Sequence, residues 1–128
     1  CGRNCVQEID DGIYHYKIGS HSLTLHHKEN TRLGLARAAL GQEYIYQAPI
    51  DIVICTIYER ATLRYSHRGE RYIHIEAGHA GQNIYLQAIA LGLATVAIGA
   101  FHDEQVSEVL RLDNQYKPLY IMPVGRAA

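Results

Sequence analysis

With 128 residues, nearly half of them apolar, the chain has enough material for one domain with one core and too little for two. Twelve basic and thirteen acidic side chains give a net charge of −1, and no segment carries a basic stripe, which removes the electrostatic basis for a nucleic-acid partner. The longest apolar stretch, Ile84 to Ala100, is broken by Gln87 and two glycines and lacks basic flanks. It reads as core, since a membrane span needs about 20 mostly apolar residues.

In chain order, the first features are cysteines. Cys1 and Cys5 form a CxxxC pair and Cys55 lies inside the apolar run IVICTI. An odd number cannot all pair, so they read as the reduced thiols of a cytoplasmic protein, with Cys55 a small core residue. The chain opens on Cys1 without a signal-peptide pattern, and its single methionine is Met122. This reads as a piece of a longer protein.

Asp10-Asp11-Gly12 is a turn signal before IYHYKI, and Gly19-Ser20-His21 is another before the alternating SLTLHH. Together they predict a β-hairpin from about Ile13 to His27. Asn30 or Thr31 can cap a helix running through Ala39 and stopping at Gly41. Pro49 breaks the next stretch, and the β-branched run Ile50 to Tyr58 predicts a strand buried on both faces. Glu59 to Tyr65 is a short helical piece ended by Gly69. A long helix follows over Arg71 to Leu91, ending at Gly92 and about 30 Å long at 1.5 Å per residue. Ala94 to Ala100 predicts a strand, Asp103 an N-cap for a helix over Glu104 to Leu110, and Leu119 to Val124 a last strand after Pro118. No repeat or linker divides the chain. The fold class is α+β, a mainly antiparallel sheet packed with helices around a long buried central helix, in one domain over residues 1–128.

Four features carry chemistry. The long helix is so apolar that it must lie at the centre of a domain or of a dimer. Tyr72, Glu76, His79 and Asn83 share one of its faces, a polar stripe that then needs internal partners, because an unpaired buried polar group costs about 1–3 kcal/mol. His74 and His79 lie about 140° apart round the helix, so they make no zinc pair, and no metal site is expected. The step Gly99-Ala100 either leaves room for a flat ring system beside exposed backbone amides or makes a tight turn before Asp103. Gly125-Arg126 follows the last strand, where a glycine lets the backbone approach an anion and an arginine offers a planar cationic fork. Arg60, Arg64, Arg68 and Arg71 surround Tyr65, an arrangement that either solvates a helix face or orients a tyrosine as a proton donor. A buried rod followed by a small-residue step points to a flavin-type site built on a subunit interface.

The blocks GIYHYKIGSHSLTL, AALGQEYIYQAPIDIVI, RYSHRGERYIHIEAGHAGQNIYLQAIALGLATVAIGAF and PLYIMPVGR, in that order, resemble the nitroreductase-like flavoenzymes, and within them the SagB-type dehydrogenase branch. The resemblance covers Gly12 to Arg126. It implies an α+β fold, a non-covalent FMN and a homodimer with flavin sites at the interface. It also implies hydride transfer through the flavin, with NAD(P)H as a donor and a small molecule or peptide as substrate. By motif match Gly99 and Ala100 would line the flavin ring, and Gly125 and Arg126 would approach its phosphate or ribityl chain. Tyr65, with Arg64 beside it, would be catalytic. Two departures stand out. The Arg-rich segment and Pro-Ser-Gly-type loop that open family members do not occur here, which leaves a second expectation, a non-catalytic dimerisation domain without flavin. In addition, Arg64 stands where the azoline-oxidising branch has Lys, and a permanently protonated arginine is a poor base.

Overall fold

A computed structural model describes residues 6–127. Strands β1 (Ile13–Lys17) and β2 (Ser22–His27) form the expected antiparallel hairpin, turned through one tight helical turn at Ile18–Ser20. Helix α1 (Arg32–Ala38) follows, then α2 (Glu43–Gln47), which sequence reasoning left unassigned. Its Tyr and Ile residues favour strands, but burying Ile45 completely outweighs that preference. After α2 come β3 (Ile50–Thr56), α3 (Tyr58–Tyr65), α4 (Arg68–Ala90), β4 (Ala94–Thr95), α5 (Asp103–Val109) and β5 (Lys117–Gly125). Gly69 does not end α3; it opens α4. A Cβ there would stand 2.8 Å from the backbone of Ala61 and Thr62, so glycine lets α3 and α4 meet backbone to backbone. Asp103 lies in the first turn of α5, and His102 holds the cap position.

The strands β3, β5 and β4 form a three-stranded antiparallel sheet in that order. The α+β class with antiparallel sheets is therefore borne out. The strand expected over Ala94–Ala100 is not continuous. Ala94 and Thr95 pair with Gly125 and Val124, and Ile98 pairs with Ile121 in the same register. Between them Val96 faces Pro123, which has no N–H to give the ladder. Pro118, also inside β5, sits where the β3 register shifts between Ile54 and Cys55.

The two faces of this sheet differ. Val53 and Ile121 point to one side and join Leu35, Ala36, Ala38, Ala39, Ile45, Ile98, Val106 and Leu110 in a closed core with α1, α2 and α5. Tyr120 and Met122 point to the other, where a Cβ on Gly81 of α4 would lie 3.7–3.8 Å from them. Helix α4 lies on the sheet through small residues, with Ala77, Gly81 and Ala88 buried. Its far side is open: Leu86 is 58 % and Ile89 72 % exposed. The expectation of a helix buried all round thus fails within the chain: Ala77, Gly81 and Ala88 are buried, Ile73, Ile84 and Tyr85 are half-buried, and Tyr72, Ile75, Leu86 and Ile89 are exposed. Likewise β3 is half-buried rather than buried on both faces. Among the described residues no helix is long and apolar enough to cross a membrane.

Candidate functional site

The segment from Val96 to His102 is fastened from three directions. The Ala97 N–H donates to the Tyr85 hydroxyl at 2.7 Å. Ile98 exchanges both backbone bonds with Ile121 at 2.9 Å. From the other side, the Gln42 amide donates to the carbonyls of Ala39 at 3.0 Å and Ala100 at 3.2 Å, and the His102 N–H donates to Ala38 at 2.9 Å. Gly99 and Ala100 are exposed, and their two N–H groups have no partner among the described residues. A Cβ on Gly99 would touch nothing closer than the Tyr120 ring at 3.7 Å, so no packing constraint demands glycine at this position. Backbone donors held in place and left open are what a planar acceptor-rich ring requires.

Ile98 faces Ile121 in the antiparallel register, so Gly125 and Arg126 lie about five and six residues along the sheet from the Gly99 step, roughly 16–20 Å at about 3.3 Å per residue. A Cβ on Gly125 would stand 2.8 Å from Pro49 Cδ, so this glycine is explained by the proline packed on it rather than by an approaching anion. Arg126 is exposed and makes no ion pair among the described residues. Beneath this end, the buried Arg32 donates to the Ala48 carbonyl at 2.7 Å and to Asn30 Oδ1 at 3.3 Å.

Arg64 and Tyr65 occupy the corner between α3 and α4. The Arg64 guanidinium lies 5.3 Å over the Tyr65 ring, and Tyr65 packs edge-on against Tyr72 with centroids 5.2 Å apart. Tyr58 hydrogen-bonds His74 at 2.7 Å across the same helix pair. These contacts fix the corner, while the ring contacts of Tyr65 involve neither the Gly99 step nor Arg126. The polar stripe on α4 needs no internal partners within the chain: Tyr72, Glu76, His79 and Asn83 are all exposed, and the 3.6 Å Glu76–His79 pair lies in solvent. Among the described residues no cluster of His, Cys, Asp or Glu is arranged to hold a metal.

Sequence reasoning missed Gln42, Tyr85 and Asp51. Gln42 showed no signal, because its contact with Ala100 spans 58 positions. Asp51 could have been found as the one charge inside the apolar run IDIVICTI. Both its carboxylate oxygens are buried without a hydrogen bond, and burial pushes its pKa up to about 7 against the opposing pull of Arg32. Cys55, next but one along the same face, has its thiol pushed up to about 11 by burial and is unreactive. Cys1 and Cys5 lie outside the described residues.

Comparison with known proteins decides the family, for the nitroreductase family matches residues 6–126. The chain belongs to the nitroreductase family. It is 46 % identical over 121 residues to MJ1384 of Methanocaldococcus jannaschii, a protein named for the same family, covering 94 % of this chain and 60 % of that protein. It is 30 % identical over 116 residues to the microcin B17-processing protein McbC of Escherichia coli, covering 88 % of this chain and 42 % of McbC. Among solved structures, an Anabaena variabilis member of the nitroreductases superposes with a TM-score of 0.90 at 36 % identity, over 95 % of this chain and 25 % of that one. The NADPH:FMN oxidoreductase of Vibrio harveyi, solved with NAD+, superposes with a TM-score of 0.63 at 30 % identity, over 75 % of this chain and 45 % of that one. The chain thus spans 60 % or less of the length of these relatives.

Proposed function

We propose that this nitroreductase-family chain is part of an FMN-dependent oxidoreductase that passes a hydride from a reduced nicotinamide to a small-molecule or peptide substrate. The observation that carries the reading is the open pair of amides at Gly99 and Ala100, held on a segment fastened at Ala97, Ile98, Ala100 and His102. They fit a flavin ring: two successive backbone donors, small side chains, and free access from solvent. Arg126, exposed just past the end of β5 and without an ion pair among the described residues, offers a cationic fork for the cofactor's phosphate. Bound FMN would supply the redox chemistry, accepting a hydride and delivering it to the second substrate.

The chain's own residues bind and orient. Gly99 and Ala100 donate from the backbone; Arg126 supplies fixed positive charge. Tyr65, steadied by Arg64 above and Tyr72 beside it, presents a hydroxyl able to give a proton to a reduced product. The similarity to McbC supports a place in the SagB-type branch and, with it, a peptide substrate. The open apolar side of α4, with Leu86, Ile89 and Leu91 exposed, supports a homodimer that covers it. The free thiol of Cys55 and the lack of a membrane-spanning helix among the described residues fit a cytoplasmic location.

Purified protein titrated with FMN tests this directly. Micromolar or tighter binding, with a visible flavin band that bleaches on adding NADH or NADPH, is expected. A protein that leaves FMN free in solution would refute the reading.

A further inference from the structure

Resting on the flavin reading above, we infer that Gln42 and Tyr85 are positioning residues for the cofactor, a two-sided clamp that aims the Gly99 and Ala100 amides. The two side chains come from opposite layers of the molecule. Gln42 lies in the link between α1 and α2, and Tyr85 lies on α4. Each engages one backbone group of the same short segment: the Tyr85 hydroxyl accepts from the Ala97 N–H, and the Gln42 amide donates to the Ala100 carbonyl. Between those two points, Ile98 is anchored by a reciprocal pair to Ile121.

The segment needs such a clamp because the sheet cannot hold it. Pro123 removes the ladder bond that Val96 would otherwise accept, and the Gly99 peptide units carry no bulky side chain to limit their rotation. Tyr85 substitutes for the lost ladder bond one residue later. Gln42 uses both of its amide hydrogens, one on Ala39 at the end of α1 and one on Ala100, so it ties the segment to a rigid helix end rather than to a loose loop. His102, bonded to Ala38, closes the same seam. With Ala97 and Ala100 fixed, the peptide planes between them have little freedom, and each of the two unpaired N–H groups keeps its own direction. Neither Gln42 nor Tyr85 needs to touch the cofactor.

The clamp should therefore show in the bound flavin and not only in stability. Backbone donors favour reduced flavin, which carries more electron density on its heteroatoms, over oxidised flavin. Misaimed donors lower affinity for both forms and for the reduced form more. Gln42→Met keeps the length and removes both donors, and Tyr85→Phe keeps the ring and removes the acceptor. In the FMN-loaded protein each should weaken FMN binding about five- to tenfold, the effect of one lost or misaligned hydrogen bond. Each should also lower the flavin reduction potential; a tenfold larger loss for reduced than for oxidised flavin is about 30 mV for a two-electron couple.

Three outcomes separate the possibilities. Wild-type protein that binds no FMN refutes the proposed function itself. Wild-type binding, with variants that lose thermal stability but keep the dissociation constant and potential of the parent, refutes the clamp while leaving the function standing. Altered affinity together with a lowered potential in either variant supports the clamp. Should Gln42→Met fail to fold, Tyr85→Phe carries the test alone, because its ring still fills the space beside α4.

Discussion

The two faces of the β3-β5-β4 sheet are equally apolar and differently finished. On one, Val53 and Ile121 meet α1, α2 and α5, and Ile45, Val106 and Ile121 have no exposed surface. On the other, α4 lies close through Ala77, Gly81 and Ala88 and turns Leu86 and Ile89 outward. Helix amphipathicity is usually read as large apolar residues inward and polar residues outward. Here the residues closest to the sheet are small, and Leu86 and Ile89 lie outside, so the far side of α4 is left as an open apolar surface.

Substitutions on each face should separate the two. The largest effect belongs to the closed face: Ile121→Ala should cost about 3–4 kcal/mol in denaturant unfolding, because the surrounding helices cannot collapse into the space. Next is Asp51→Asn. The carboxyl titrates near 3.8 unfolded and about 7 folded, so the folded state binds the extra proton between those values. Stability therefore falls as pH rises from about 4 to 7 and then levels, a loss on the order of 3 kcal/mol. The Asn variant should flatten that slope and exceed the parent in stability at pH 8 while differing little at pH 4; an unchanged slope would rule out Asp51 as its source.

At the sheet end shared by both faces, Arg126→Ala should weaken FMN binding by about 1.5–3 kcal/mol without altering the unfolding midpoint of the cofactor-free protein. An unchanged dissociation constant would remove Arg126 from the site. The smallest effect on folding belongs to the open face. Ile89→Lys should stay within about 0.5 kcal/mol of the parent in the monomer's unfolding. In sedimentation the parent is expected to self-associate and the same variant to stay monomeric. If Ile89→Lys unfolds the chain as Ile121→Ala does, the contrast between the faces is lost.

The hairpin, α1, β3, α4 and β5 were readable because each has strong local punctuation: Asp11-Gly12 and Gly19 for the hairpin, the run IDIVIC for β3, Gly92 for the end of α4. Helix α2 was not, because its five residues form a helix only through the burial of Ile45. The break in the strand after Thr95 was invisible locally, since its cause is Pro123, brought opposite Val96 by the sheet register. The site divides in the same way. Gly99-Ala100 could be picked out as a step of small residues, but what holds it, Gln42 and Tyr85, comes from distant segments. The reading of Gly125 as an anion approach was local too, and its neighbour Pro49 accounts for that glycine instead.

Strand β3 forms the rim of the sheet, and no strand among the described residues lies against its outer side. A ribbon of Ile, Val and Cys with unpaired N–H and C=O groups is a template for further strands to stack upon, the starting point of fibrous aggregation. Asp51, whose carboxylate oxygens are already buried, lies at one end of that ribbon, and two β3 strands stacked in register would set two such carboxylates side by side, where they repel. The burden that Asp51 places on folding thus doubles as a guard on solubility. The more stable Asn variant should accordingly be the first to precipitate on prolonged warming.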